Sequence, residues 1–184
     1  MTFPLSDQVA ALERAGIRLV DGRALDAALE LNREYIEATP HGLISVLAVT
    51  DQEGTALTSP GIALISMEGA EDADSYPACF QTIARAAGRS GDLIIEESVF
   101  DLDVGETRIS YRIGDRAGVS EPDLNGDWYD GMEFGYMCES LARDGEFAAW
   151  TIDHDGTWCT WMASQAEADV VWDLLRPTNP DSPH

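Results

Sequence analysis

The segment LIIEESVFDLDVGETRISYRIGDR, residues 93–116, alternates apolar and polar side chains on either side of a glycine-led turn. A period of two lets a strand bury one face and wet the other, so this segment commits the chain to antiparallel sheet. A two-residue Gly105-Glu106 turn of the II′ kind pairs Val104 with Thr107. It then sets Leu102 opposite Ile109 and Phe100 opposite Tyr111 on one face, and Asp103 opposite Arg108 on the other. Each face is then uniform in character, which is what fixes a register.

The same test applies to TIDHDGTWCTWMAS, residues 151–164. An Asp155-Gly156 turn of the I′ kind pairs His154 with Thr157, Ile152 with Cys159, Trp150 with Trp161 and Ala148 with Ala163, one coherent apolar face. A three-residue loop sets Trp150 against Thr160 and breaks that coherence. The histidine between two aspartates is thereby explained as a hairpin tip. A zinc site wants three or four converging ligands, and the only other imidazoles are His41 and the terminal His184.

Helical spacing accounts for much of the remainder. Ser6 can cap a helix over 7–15 that Gly16 stops. Residues 21–40 carry Leu25, Ala28, Leu29, Asn32 and Ile36 at near-helical intervals before Pro40. GLISVLAVT (42–50) and GIALISM (61–67) read as core strands. A helix over 74–88 has Pro77 in its first turn and Gly88 at its end. Residues 117–131 read as loop. MEFGYMCESLARDG (132–145) reads as a helix with Phe134, Met137, Cys138 and Leu141 inward, closed by Gly145. A last helix opens with a Ser164 cap and Glu167 at the third helical position, and buries Ala168, Val171, Trp172 and Leu175.

Together these elements predict an α+β fold: one domain over residues 1–176, with a mostly antiparallel sheet of about six strands packed by four to five helices, and a flexible tail over 177–184. Residues 25–88 and 132–175 both read helix, strand, strand, helix, a weak pattern of internal duplication with little identity.

Chemistry is hard to find. Cys79, Cys138 and Cys159 are widely spaced and odd in number, which suits neither a disulfide framework nor a CxxC site. There is no GxSxG, no glycine-rich phosphate loop and no lysine at all, so no nucleophile elbow, Walker motif or Schiff base can be built, and no cofactor is implied. DLNGDWYDGMEF puts Asp123, Asn125 and Asp127 at positions one, three and five of a calcium loop, but Trp128 stands at six and Phe134 at twelve, so no metal is expected. No apolar run approaches a membrane span and the amino terminus lacks a secretory pattern, so the expectation is a cytoplasmic protein with no membrane partner.

Charge is the strongest departure from average. Asp and Glu number 34 against 11 arginines, a formal net charge of −23. Such a field repels nucleic acid and attracts basic proteins. Twelve of the acids lie between Asp92 and Glu133 against three arginines. Within that stretch Trp128 and Tyr129 stand as aromatic anchors in an acidic rim, and Asp123, Asp127, Asp130 and Glu133 supply the rim. The expectation is a binding domain of inhibitor or immunity type that neutralises a basic toxin or nuclease, by analogy of class. The alternatives are a small enzyme or ligand-binding domain with a cleft near His154 or His41, and a housekeeping domain whose acidity serves solubility.

Overall fold

In a computed structural model the chain is mixed α/β, and the structure describes residues 4–14, 16–17, 29–30, 33–38, 61–101, 103–124, 126–152 and 156–175. The elements are α1 (Leu5–Arg14), α2 (Arg33–Ala38), β1 (Ala63–Ser66), α3 (Ser75–Ala86), β2 (Leu93–Asp101), β3 (Glu106–Ile113), β4 (Arg116–Ser120), α4 (Gly131–Ser140), β5 (Phe147–Ile152), β6 (Thr157–Ala163) and α5 (Gln165–Leu175). They fall into two compact units, residues 60–162, and residues 1–59 with 163–184.

The second of these units packs α1 with α2 and α5. Gln8, Ala11 and Leu12, spaced as one face of α1, are buried with Ile36 of α2, and Gln8 Nε2 donates to the Ile36 carbonyl at 2.7 Å. Helix α1 starts at Leu5, with Asp7 and Gln8 N–H donating to the Pro4 carbonyl, so Ser6 lies in the first turn and is not the cap. Gly16, at φ +78°, ends the helix and lets Ile17 donate back to Leu12. At the start of α5, Ser164 Oγ accepts from Glu167 N–H, while Glu167 Oε2 accepts from Ser164 N–H at 2.8 Å and from its hydroxyl at 2.7 Å. That reciprocal cap is the one read from the sequence. Ala168 is buried as expected. The side chains of Val171, Trp172 and Leu175, the segment 42–50 and the tail lie outside the described residues.

The unit 60–162 holds the six described strands, in two three-stranded antiparallel sheets ordered β1-β6-β5 and β2-β3-β4. A single mostly antiparallel sheet of about six strands is therefore not what forms: the described strands make two sheets, with the β2–β3 hairpin pairing to β4, in the segment 117–131 expected as loop, and not to β1, β5 or β6. The AGVS of β4 offers one branched apolar side chain, and pairing with β3, Ile109 opposite Ser120 through Ile113 opposite Arg116, makes it a strand. The proposed duplication depends on residues 42–50, outside the described residues.

The β2–β3 hairpin forms with a register four residues away from the expected one: Asp101 faces Glu106, Phe100 faces Thr107, and Ser98 faces Ile109. The cause is local. Asp101 Oδ1 accepts from Asp103 N–H at 2.9 Å and Val104 N–H at 3.2 Å, an Asx turn that widens the connection, with Gly105 at φ +71° closing it. The shift becomes five beyond a bulge between Ile95 and Glu97, where Ile95 faces Tyr111 and Leu93 faces Ile113; Ile109, Tyr111 and Ile113 alternate along β3 itself and so share the inward face whatever the pairing. Tyr111 meets Phe80 of α3 edge-on at 4.9 Å, and lies so close across Gly118 that a Cβ there would sit 2.5 Å from its ring.

Strand β6 is central in its sheet, and Trp158, Cys159, Thr160, Trp161 and Ala163 are all buried, so both of its faces are covered instead of the single apolar face expected. The turn residues 153–155 lie outside the described residues; Gly156 has φ +76°. Helix α4 buries Phe134, Met137 and Cys138 as read from spacing, with Leu141 buried at its C-cap, but it ends at Ser140, short of Gly145.

Candidate functional site

The acidic loop between β4 and α4 is pinned from behind. Gly69 and Ala70 N–H donate to the Asp127 carbonyl at 2.7 and 2.9 Å, Trp128 bridges Glu68, and Tyr129 N–H donates to the Met67 carbonyl at 2.9 Å. Residues 127–129 therefore run as a short extended piece against 67–70. Extended backbone sends neighbouring side chains to opposite sides, and the two adjacent rings part company. Trp128 is 44% exposed, with its ring edge 3.4 Å from the position a Cβ would take on Gly156. Tyr129 is 8% exposed, edge-on to Tyr76 at 4.7 Å and tilted against Phe134 at 5.8 Å. Burial raises both phenols above their ordinary value, Tyr76 to about 12.

Two of the four rim acids hold the fold. Asp130 caps α4: its Oδ1 accepts from Met132 N–H at 2.9 Å and Glu133 N–H at 3.2 Å, and its Oδ2 accepts from Asp123 N–H at 3.0 Å. Its own N–H donates to the Tyr76 hydroxyl at 2.7 Å. Glu133, in the first turn, accepts from the buried Ser120 hydroxyl of β4 at 2.7 Å. Asp123 and Asp127 are exposed, and among the described residues their carboxylates make no hydrogen bond or ion pair. Other acids of the 92–133 stretch are partly neutralised: Asp92 by Arg89 at 3.0 Å, Glu96 by Arg112 at 3.2 Å and Glu97 by Arg108 at 3.6 Å. The two exposed pairs, Glu96–Arg112 and Glu97–Arg108, contribute little to stability.

On its outward side α4 carries a feature that the inward stripe of Phe134, Met137, Cys138 and Leu141 does not announce. Met132 is 71% and Tyr136 59% exposed. With Gly131, Gly135, Glu139 and the Trp158 ring they line a largely apolar depression of about 610 Å3 at the foot of the Asp130 cap. The signal was present: Met132 and Tyr136 lie one turn apart and out of phase with Phe134, Met137, Cys138 and Leu141. The chain matches no protein-family model, no curated protein and no solved structure. The surface must therefore speak for itself.

Among the described residues no group of three or more His, Cys, Asp or Glu is placed to hold a metal ion, and no helix is long and apolar enough to cross a membrane. His41, His154 and His184 lie outside the described residues. No disulfide links the three cysteines. Burial pushes the Cys138 thiol up to about 12 and raises Cys79 also, so both stay protonated at neutral pH and are poor nucleophiles.

Proposed function

We propose that this protein is an acidic binding module that neutralises a basic protein partner, a toxin or nuclease, in the manner of an inhibitor or immunity protein. The observation that carries this reading is the coincidence of exposed apolar anchors and unneutralised acids on one segment of one unit. Trp128, Met132 and Tyr136 are exposed, while Asp123 and Asp127 of the same segment have no internal partner among the described residues. An exposed tryptophan on a backbone already pinned against residues 67–70 is a good anchor, because a large ring is offered with little backbone freedom left to lose on binding. Long-range attraction comes from the net charge of −23. Tyr129, Asp130 and Glu133 then serve the surface indirectly, by fixing the loop and α4.

The test is capture from the native cell lysate at about 50 mM and about 500 mM salt, where the screening length drops severalfold. Wild type, Trp128→Ala and Asp123→Asn/Asp127→Asn are run in parallel. A basic protein retained by wild type at low salt, weakened by both variants and released at high salt, is the expected outcome. Recovery of no basic protein, or equal recovery by all three, would remove the proposal.

A further inference from the structure

We propose that the outward side of α4 is a groove for an amphipathic basic helix, through which the partner inferred above is recognised; the inference rests on that reading. Three observations lead there. The groove lining runs from Gly131 to Glu139, two helical turns or about 12 Å at 1.5 Å per residue, the span of anchors at i, i+3 or i+4, and i+7 on an opposing helix.

Glycine at 135 has no internal explanation. It sits inside a helix, where it is disfavoured by about 1 kcal/mol relative to alanine, and its φ is not positive. Among the described residues nothing lies within 4 Å of the Cβ it lacks, and at Gly131 a Cβ would meet only the Trp158 ring, at 4.0 Å. The missing Cβ atoms, one turn apart, leave the helix surface bare at these two positions and permit close approach of another backbone, with only the edge of the buried Trp158 ring at the floor beside Gly131.

The rim has one sign. Glu139 lies in the last turn of α4, which carries no basic residue, at the end where the helix dipole is itself negative. Arg116 donates to the neighbouring Ser140 carbonyl at 3.1 Å but makes no ion pair with Glu139 among the described residues. Asp130 stands at the other end, and among the described residues no cation lines the groove. Arginine or lysine flanking an apolar stripe fits this pattern; an acidic or uncharged helix does not.

The experiment uses the full chain and a stapled, labelled helical peptide with leucine on one stripe and arginine elsewhere. A second peptide keeps the arginines and replaces the leucines by serine. Binding is read by anisotropy at low salt, and the Met132 methyl resonance reports the groove directly. Gly135→Leu fills the groove with a residue that favours helix, so its fold, checked by circular dichroism, is expected to persist. The leucine peptide is expected to bind wild type, to shift the Met132 methyl and to lose roughly tenfold or more affinity in Gly135→Leu, while the serine peptide binds weakly and equally to both. Leucine-peptide binding that ignores Gly135→Leu and leaves the methyl unmoved would overturn the groove and leave the basic-partner reading standing. Failure of both peptides to bind would overturn both. Self-association of the wild type that Gly135→Leu abolishes would assign the groove to a second copy instead.

Discussion

Asp130→Ala separates a carboxylate that builds the surface from one that steers a partner. In the structure Asp130 accepts three backbone N–H groups, from Met132, Glu133 and Asp123. Losing an N-cap aspartate typically costs about 1 kcal/mol. The Asp123 N–H is in an exposed segment where water can replace part of the lost bond, adding about 0.5–1 kcal/mol. The expected loss is thus about 2 kcal/mol, or about 4–8 °C in melting temperature for a chain of this length. Asp130→Asn keeps a side-chain oxygen for capping and gives up mainly the charge near the positive end of α4, so it should lose less than about 1 kcal/mol. Urea unfolding followed by tryptophan fluorescence reads both. An Asp130→Ala midpoint indistinguishable from wild type, or Asp130→Asn as damaging as Asp130→Ala, would refute the capping role.

Gly118→Ala should destabilise by about 1–2 kcal/mol in the same assay, because a Cβ would sit 2.5 Å from the Tyr111 ring and that ring is held by Phe80. Gly156→Val should cost at least about 1 kcal/mol, since φ is +76° there and the Trp128 ring lies 3.4 Å from the new Cβ; an unchanged midpoint would contradict the placement of that glycine. Tyr76 and Cys138 have pKa values raised to about 12, so the stability they confer is complete below their ordinary values of 10.0 and 9.0 and is lost as pH rises toward 12. Titration at the phenolate absorbance should accordingly show Tyr76 and Tyr129 ionising last, together with unfolding. Glu167 is depressed by its hydrogen bonds from Ser164, so the α5 cap contributes above the ordinary carboxylate value of 4.5 and weakens as pH falls below it; Ser164→Ala should flatten that acid limb.

The sequence discloses what local chemistry decides. Ser164 and Glu167 announce a capping box that needs only four residues, and the α4 stripe of Phe134, Met137, Cys138 and Leu141 follows from helical spacing alone. The inward face of β3 was legible because alternation along one strand does not depend on its partner, whereas register was not, since the Asp101 carboxylate competes for the turn amides and lengthens the loop, and a bulge between Ile95 and Glu97 shifts the pairing again. The parting of Trp128 and Tyr129 was hidden for another reason. It depends on pairing with Met67 to Ala70, some sixty residues earlier, and no local pattern marks that contact. Strand β4 likewise owes its existence to β3 rather than to its own side chains.

The most direct measurement of the binding role is the association rate of the captured basic protein as a function of ionic strength, by stopped flow on tryptophan emission. At physiological salt the screening length is about 8 Å, which removes steering while leaving close contacts. The rate for wild type is expected to fall steeply with salt. Asp123→Asn/Asp127→Asn should start lower and fall less, and Trp128→Ala should associate at nearly the wild-type rate but dissociate faster. A salt-independent rate, or dissociation unchanged by Trp128→Ala, would contradict an acidic docking surface anchored on Trp128.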